Sequence, residues 1–229
     1  MKKRLISILI LLIISLISSP LFAYIESLPL LLEHIVKSNG NWNAVELEGT
    51  ETKAASKDSK SELRLALARP GKICFDRKST KAVKNGGRIN DAFKGLDSYE
   101  KKLLKLMAYS SDKAELFSFF KSWGIDYNEV ALGLLNGKPC FIIGAKEGEE
   151  AKPQIWFDKK NYHPVRLILN ETTDGKISKI DIRLSGWEKP VGADLMPSRI
   201  EFYIDNMFVK HWEFSKLNPK LRDMSRFSL

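Results

Sequence analysis

The sequence predicts an α+β protein, mostly β: one antiparallel, up-and-down sheet with an apolar face, interrupted by a short helical insert. Three observations predict it. From Val130 to Leu217 the chain reads as seven short strand-like segments separated by turn chemistry. The stretch Gln154–Leu169 (QIWFDKKNYHPVRLIL) places two apolar runs around a polar turn, as a hairpin requires. Between about residues 97 and 122 the apolar spacing changes from a period of two to a helical one.

Taken in order, the N-terminus (MKKRLISILILLIISLISSPLFA) has a basic start at Lys2, Lys3 and Arg4, an apolar run over Leu5–Ile17, and a break at Ser18-Ser19-Pro20. That is the pattern of a secretory signal peptide over residues 1–23, cleaved after Ala23. The apolar run is shorter than the ~20 residues of a spanning helix, the alternative reading. Residues 24–229 then form one domain. Tyr24–Ser38 spaces Ile25, Leu28, Leu31, Leu32, Ile35 and Val36 along one helix face, and Asn39-Gly40 stops it. Ala44–Lys53 alternates as a strand, Ala54–Lys60 is a turn or loop, and Leu63, Leu65 and Leu67 alternate again. Arg69-Pro70-Gly71 punctuates before Ile73-Cys74-Phe75, and the polar stretch Thr80–Asn90 suits a hairpin.

Asp97 or Ser98 can cap a helix carrying Leu103, Leu104, Leu106 and Met107, and Asp112 another carrying Leu116, Phe117, Phe119 and Phe120. The strands that follow are Val130–Leu135, Cys140–Gly144, Gln154–Asp158, Val165–Glu171, Lys179–Gly186, Arg199–Asp205 and Met207–Leu217. Asn136-Gly137, Lys146–Glu150, Thr173-Asp174-Gly175 and Asp205-Asn206 supply the turns.

The formal charge of +9 falls to +6 without the three leader cations. Basic residues are scattered among Glu and Asp, so the charge reads as a solvated surface and not as a nucleic-acid footprint, which needs clustering on one face. A weak, transient contact with anionic membrane surfaces would begin at Lys60, Lys72, Lys78, Lys81 and Lys84. Cys74 and Cys140 either pair, as an oxidising compartment permits, or serve as two buried thiols. His34, His163 and His211 do not have zinc-site spacing with them, so no metal or other cofactor is expected. No G-x-S-x-G elbow or H-E-x-x-H helix occurs, and no enzyme is predicted.

One sheet face carries Val165, Leu167 and Leu169, then Ile180, Ile182 and Leu184, then Ile200, Phe202 and Ile204, then Phe208, Trp212 and Phe214 with Lys210 intruding. The other face carries Arg166, Asp181, Arg183, Arg199, Glu201, His211 and Glu213 and is expected to be wet. The apolar face is either ordinary core or the wall of a ligand cavity.

The Trp156-Phe157-Asp158 turn followed by Pro164-Val165-Arg166-Leu167 resembles the periplasmic lipoprotein-carrier superfamily, the LolA/LolB-like proteins. So do Leu195–Phe202 (LMPSRIEF) and the strand, Arg-Pro, strand segment Leu65–Lys72. The resemblance implies an unclosed, strongly curved β-barrel with helices lying over its mouth. It also implies a cavity that shields the acyl chains of a lipoprotein or other lipid on the way to the outer membrane, with inner- or outer-membrane transfer proteins as partners. On that reading Leu65, Leu67, Val165, Leu167, Leu169, Ile182, Phe202 and Trp212 line the cavity. Leu103, Leu106, Met107, Phe117 and Phe120 form the lid, and Arg69 matches the arginine that helps hold it closed. The competing reading is a non-transporting envelope sensor or scaffold that binds a protein partner, for instance along a sheet edge.

Overall fold

Strict alternation in the first part of the chain builds five strands, and a second alternating series builds seven more. The computed structural model describes residues 25–39, 42–77, 80–109, 112–173, 175–187, 195–221 and 223–228, with the side chains of 56–59 excepted. The leader, Gly40, Lys78 and Asp174 lie outside these residues.

After helix α1 (Leu28–Ser38) come β1 (Ala44–Lys53), β2 (Ser56–Ala68), β3 (Lys72–Arg77), β4 (Thr80–Asn85) and the two-residue β5 (Arg88–Ile89). Three helices follow: a single turn, α2 (Asp91–Lys94), then α3 (Ser98–Met107) and α4 (Lys113–Ser122). The return series is β6 (Val130–Leu135), β7 (Lys138–Ile143), β8 (Gln154–Asp158), β9 (Pro164–Thr173), β10 (Lys176–Ser185), β11 (Arg199–Ile204) and β12 (Met207–Asn218). A 3-10 turn at Met224–Phe227 comes last. The stretch after Ala54 is largely strand: Ala54 and Ala55 make a tight turn and β2 begins at Ser56.

All twelve strands form one antiparallel sheet in the order β5-β4-β3-β2-β1-β12-β11-β10-β9-β8-β7-β6. The chain runs outward from β1 to one edge, crosses by the helices to the other edge at β6, and meanders back until β12 pairs with β1. The edges β5 and β6 do not pair with each other, so the barrel is unclosed. Local chemistry fixes the turns and the bend. Asn136-Gly137 takes positive φ at both residues (53° and 77°), matching the twist of the β6–β7 hairpin. At Gly49 the pairing with β12 shifts register, and a Cβ there would collide with the Glu213 carbonyl.

The caps form where the sequence places them. The Asp112 carboxylate accepts from the Ala114 amide (3.0 Å), and Glu100 reaches back to accept from the Asp97 amide (3.2 Å). The helices lie on the concave side. Leu31, Leu32 and Ile35 of α1, Leu103, Leu104, Leu106 and Met107 of α3, and Leu116 and Phe120 of α4 join the inward side chains of the sheet in one core. Two small clusters sit on the convex side. In one, Phe227 covers Ala44, Ala66, Ala68, Cys74 and Val83; the other holds Cys140, Ile142 and Trp156.

Candidate functional site: the filled barrel and its lid

Leu65 and Leu67 of β2, Leu167 and Leu169 of β9, Ile182 of β10, Phe202 of β11 and Trp212 of β12 all point into the barrel and are fully buried. Leu103, Leu106, Met107 and Phe120 descend onto them from α3 and α4. Phe117 is half-buried at the margin, edge-on to Tyr127 at 5.4 Å.

Two expected inward residues point the other way. The β8–β9 pairing shifts register between Trp156 and Phe157, so Trp156 faces Arg166 while Phe157 faces Pro164. Val165 is the extra residue of that bulge and packs outside, against the Cys140–Ile142–Trp156 cluster. A second shift, between Phe202 and Tyr203, puts Lys210 opposite Phe202 and turns Phe208 out against Tyr203 (5.7 Å).

The space enclosed under the helices is small. A slot lined by Ile35, Leu106, Met107, Leu116, Phe157 and Met196, among others, has room of about 20 Å³. One water needs roughly 10–15 Å³, whereas a ligand pocket has ~300 Å³ or more. Side chains of α3 and α4 occupy the interior of the barrel.

At the slot's rim, Arg69 donates through Nη2 to the Asn39 carbonyl (2.9 Å), and its guanidinium lies 4.0 Å from the centre of the Trp42 ring. Burial lowers the pKa of Arg69, while Tyr109 and Glu115 act in the opposite direction. The Tyr109 hydroxyl donates to the Ile35 carbonyl (3.4 Å), and burial raises the pKa of its phenol. His163 stacks on Trp187, with ring centres 4.3 Å apart. Across the slot, Tyr162 donates to Glu26 (3.0 Å), which also bonds His34 (2.9 Å).

The other end of the barrel is ionic, and only Lys210 of its members stood out in the sequence. Glu51 of β1, Arg77 of β3 and Lys210 of β12 each end an inward apolar series. Glu100 of α3 meets them with no solvent exposure. Its Oε1 accepts from Lys210 (2.6 Å) and Arg77 (2.8 Å). Glu51 Oε2 accepts from Arg77 (3.1 Å) and from the Trp212 indole N–H (3.0 Å). Burial works against the Arg77 charge, but Glu100 and Glu51 outweigh it and raise its pKa. Lys210 also lies 5.2 Å from the Phe202 ring centre and 5.3 Å from that of Tyr99. Inward phase at a strand end is the signal that marks Glu51 and Arg77. Glu100, three residues after a helix cap, gives none.

The face expected to be wet is partly buried. Arg166 and Asp181 pair in two parallel hydrogen bonds (2.9 and 2.7 Å) and are nearly inaccessible. The disulfide alternative is not realised: Cys74 and Cys140 carry free thiols in separate convex clusters, with seven strands between β3 and β7 in the sheet. Among the surface lysines, Lys60 and Lys81 are exposed, whereas Lys84 is half-buried and donates to the Gly71 carbonyl (2.9 Å). Among the described residues there is no group of three or more His, Cys, Asp and Glu side chains able to hold a metal.

No protein-family model matches the chain, and no curated protein matches it. Solved structures do. A domain from Vibrio parahaemolyticus assigned to outer membrane lipoprotein sorting is 11% identical, with 88% of this chain and 96% of that one covered and a TM-score of 0.57. A LolA-superfamily protein from Nitrosomonas europaea is 10% identical, with coverage of 89% and 98% and a TM-score of 0.47. MucB in complex with MucA is 12% identical, with coverage of 87% and 58% and a TM-score of 0.28. At such identities the likeness is one of fold: the chain is an unclosed, helix-covered β-barrel that shares the fold of the Vibrio domain.

Proposed function

We propose that this chain is a periplasmic carrier that takes the acyl chains of a lipid or lipoprotein into its barrel by exchanging them for the side chains of its own lid. The observation that carries the proposal is the way the concave face is covered. It is closed by short helices on loops, whose Leu103, Leu106, Met107, Leu116 and Phe120 occupy the interior. Each acyl methylene withdrawn from water contributes ~0.8 kcal/mol. A dozen of them offset the exposure of those lid residues, so opening and loading can be near balance. The secretory leader pattern supports export. The lipoprotein-sorting assignment of the Vibrio domain supports an acylated cargo bound for the outer membrane.

The test is native mass spectrometry of protein recovered from a periplasmic extract, paired with displacement of a neutral fluorescent dye by acyl ligands. Co-purified lipid and saturable displacement are expected. Failure of both, together with lid amides that exchange as slowly as those of the sheet, would overturn the proposal. Recovery of a stable protein complex without lipid would favour the scaffold reading.

A further inference from the structure

The ionic end of the barrel separates its charges by element. On the helix side Glu100 is fully buried and Asp97 lies 3.5 Å from Lys210, while Lys102 of the same helix is paired with Glu171 of β9 (3.0 Å). The sheet side is cationic in balance. Buried Lys210 and half-buried Arg77 face one carboxylate, Glu51, and half-exposed Lys53 adds a further positive charge 3.9 Å from Glu51. A capping glutamate at the third position of a helix ordinarily sits in solvent. Glu100 instead occupies a chamber walled by Phe75, Tyr99, Phe202 and Trp212, whose rings pack 4.8–5.8 Å apart. Beside α3's first turn, an open groove of about 540 Å³ is lined by Asp97, Tyr99, Lys102 and Glu171, among others.

We infer that Arg77 and Lys210 form a seat for an anionic head group, held in the closed chain by Glu100, and that the cargo is an amphiphile bearing one carboxylate or phosphate charge. The inference rests on the carrier reading. When α3 lifts, Glu100 leaves with it and the sheet keeps an uncompensated positive charge in an aromatic, low-dielectric chamber. An unpaired buried charge is strongly disfavoured. A neutral acyl group would leave it unpaired, whereas a carboxylate or phosphodiester restores the balance. The alkyl chain would then run along Phe202 and Leu167, in the volume vacated by α3.

The experiment compares dodecanoate, methyl dodecanoate and lauroyl lysophosphatidylglycerol as displacers of the neutral dye 1-aminoanthracene from the full chain. In the native chain the two anions are expected to bind at least about tenfold more tightly than the ester, equivalent to about 1.4 kcal/mol. Glu100→Gln removes the charged occupant from the closed chain alone, so it should raise the affinity for anions and ester alike by several-fold and keep the preference for anion over ester. The double variant Glu100→Gln with Lys210→Met removes one charge of each sign. It leaves no lone buried lysine and should erase the preference for anion over ester. Denaturation midpoints of the variants establish that each is folded. Preference for both anions supports a general anion seat, and preference for dodecanoate alone assigns it to a fatty carboxylate. Equal binding of ester and anions overturns the seat and leaves the carrier reading standing. Binding of none of the three overturns the carrier reading and the seat with it.

Discussion

Arg69 donates from Nη2 to the carbonyl of Asn39 across 2.9 Å, fastening the end of β2 to the residue that closes α1. The same guanidinium lies over Trp42. Arg69→Ala removes a charge-assisted bond and a stacking contact. Discounted for partial exposure, the loss is roughly 1–2 kcal/mol, or about 2–8 °C in Tm. Hydrogen exchange should quicken in α1 before it quickens in the sheet. Lysine is not expected to rescue the change, because it lacks the planar fork that bonds and stacks at once. Equal exchange of α1 in both proteins would show that Arg69 does not fasten that helix.

Leu167 and Val165 are two residues apart on β9, yet they face opposite sides because the bulge at Trp156–Phe157 adds one residue between them. Leu167→Ala empties a fully buried site and should cost about 2–5 kcal/mol. Val165→Ala, on the half-buried convex side, should cost about 1 kcal/mol or less. Urea unfolding with an unchanged m-value measures both. Similar losses at the two positions would contradict the register.

These two residues also show what the sequence conveys and what it hides. Period-two alternation carried the strands of the return series to within a few residues, because one face is uniformly apolar. It misplaced Val165 and Phe208, because a bulge shifts the phase by one and leaves no mark in composition. It identified Leu65, Leu167, Ile182 and Trp212 as inward residues, but inward residues of a core and of a cavity look alike. The distinction lies in the helices, whose Leu103, Leu106, Met107 and Phe120 pack into the same core as those residues. Glu100 was illegible for a different reason: its burial comes from Arg77 and Lys210 on strands distant in sequence.

Arg166 and Asp181 form a two-pronged pair on the convex face, with Glu150 on Arg166 (2.9 Å) and Arg183 on Asp181 (3.0 Å). Arg166→Met leaves the Asp181 carboxylate buried with only half-exposed Arg183, and should cost about 3–5 kcal/mol. The double variant Arg166→Met with Asp181→Leu should recover most of that loss, because two well-packed apolar residues carry no desolvation cost. A double-mutant cycle by chemical denaturation reads the coupling. Additive losses would show that the pair has no mutual role.

The two thiols give a test of the convex clusters with a defined pH sign. Burial pushes both Cys74 and Cys140 up to about 11, with Asp76 and Asp158 respectively adding to it. Folded thiols therefore keep their protons where unfolded ones, near 9, lose them. The unfolded state binds fewer protons in that window, so stability is unaffected below about pH 9 and falls as pH rises toward 11. Replacing both cysteines with alanine should flatten part of that fall in denaturation midpoints. At pH 8 the native protein should resist iodoacetamide at both sites and react at both in guanidinium. Phe227 covers Cys74 but not Cys140. Phe227→Ala should therefore open Cys74 alone to alkylation, read by peptide mass. Equal labelling of the two cysteines in that variant would mean global loosening and would refute a local cover by the C-terminal turn.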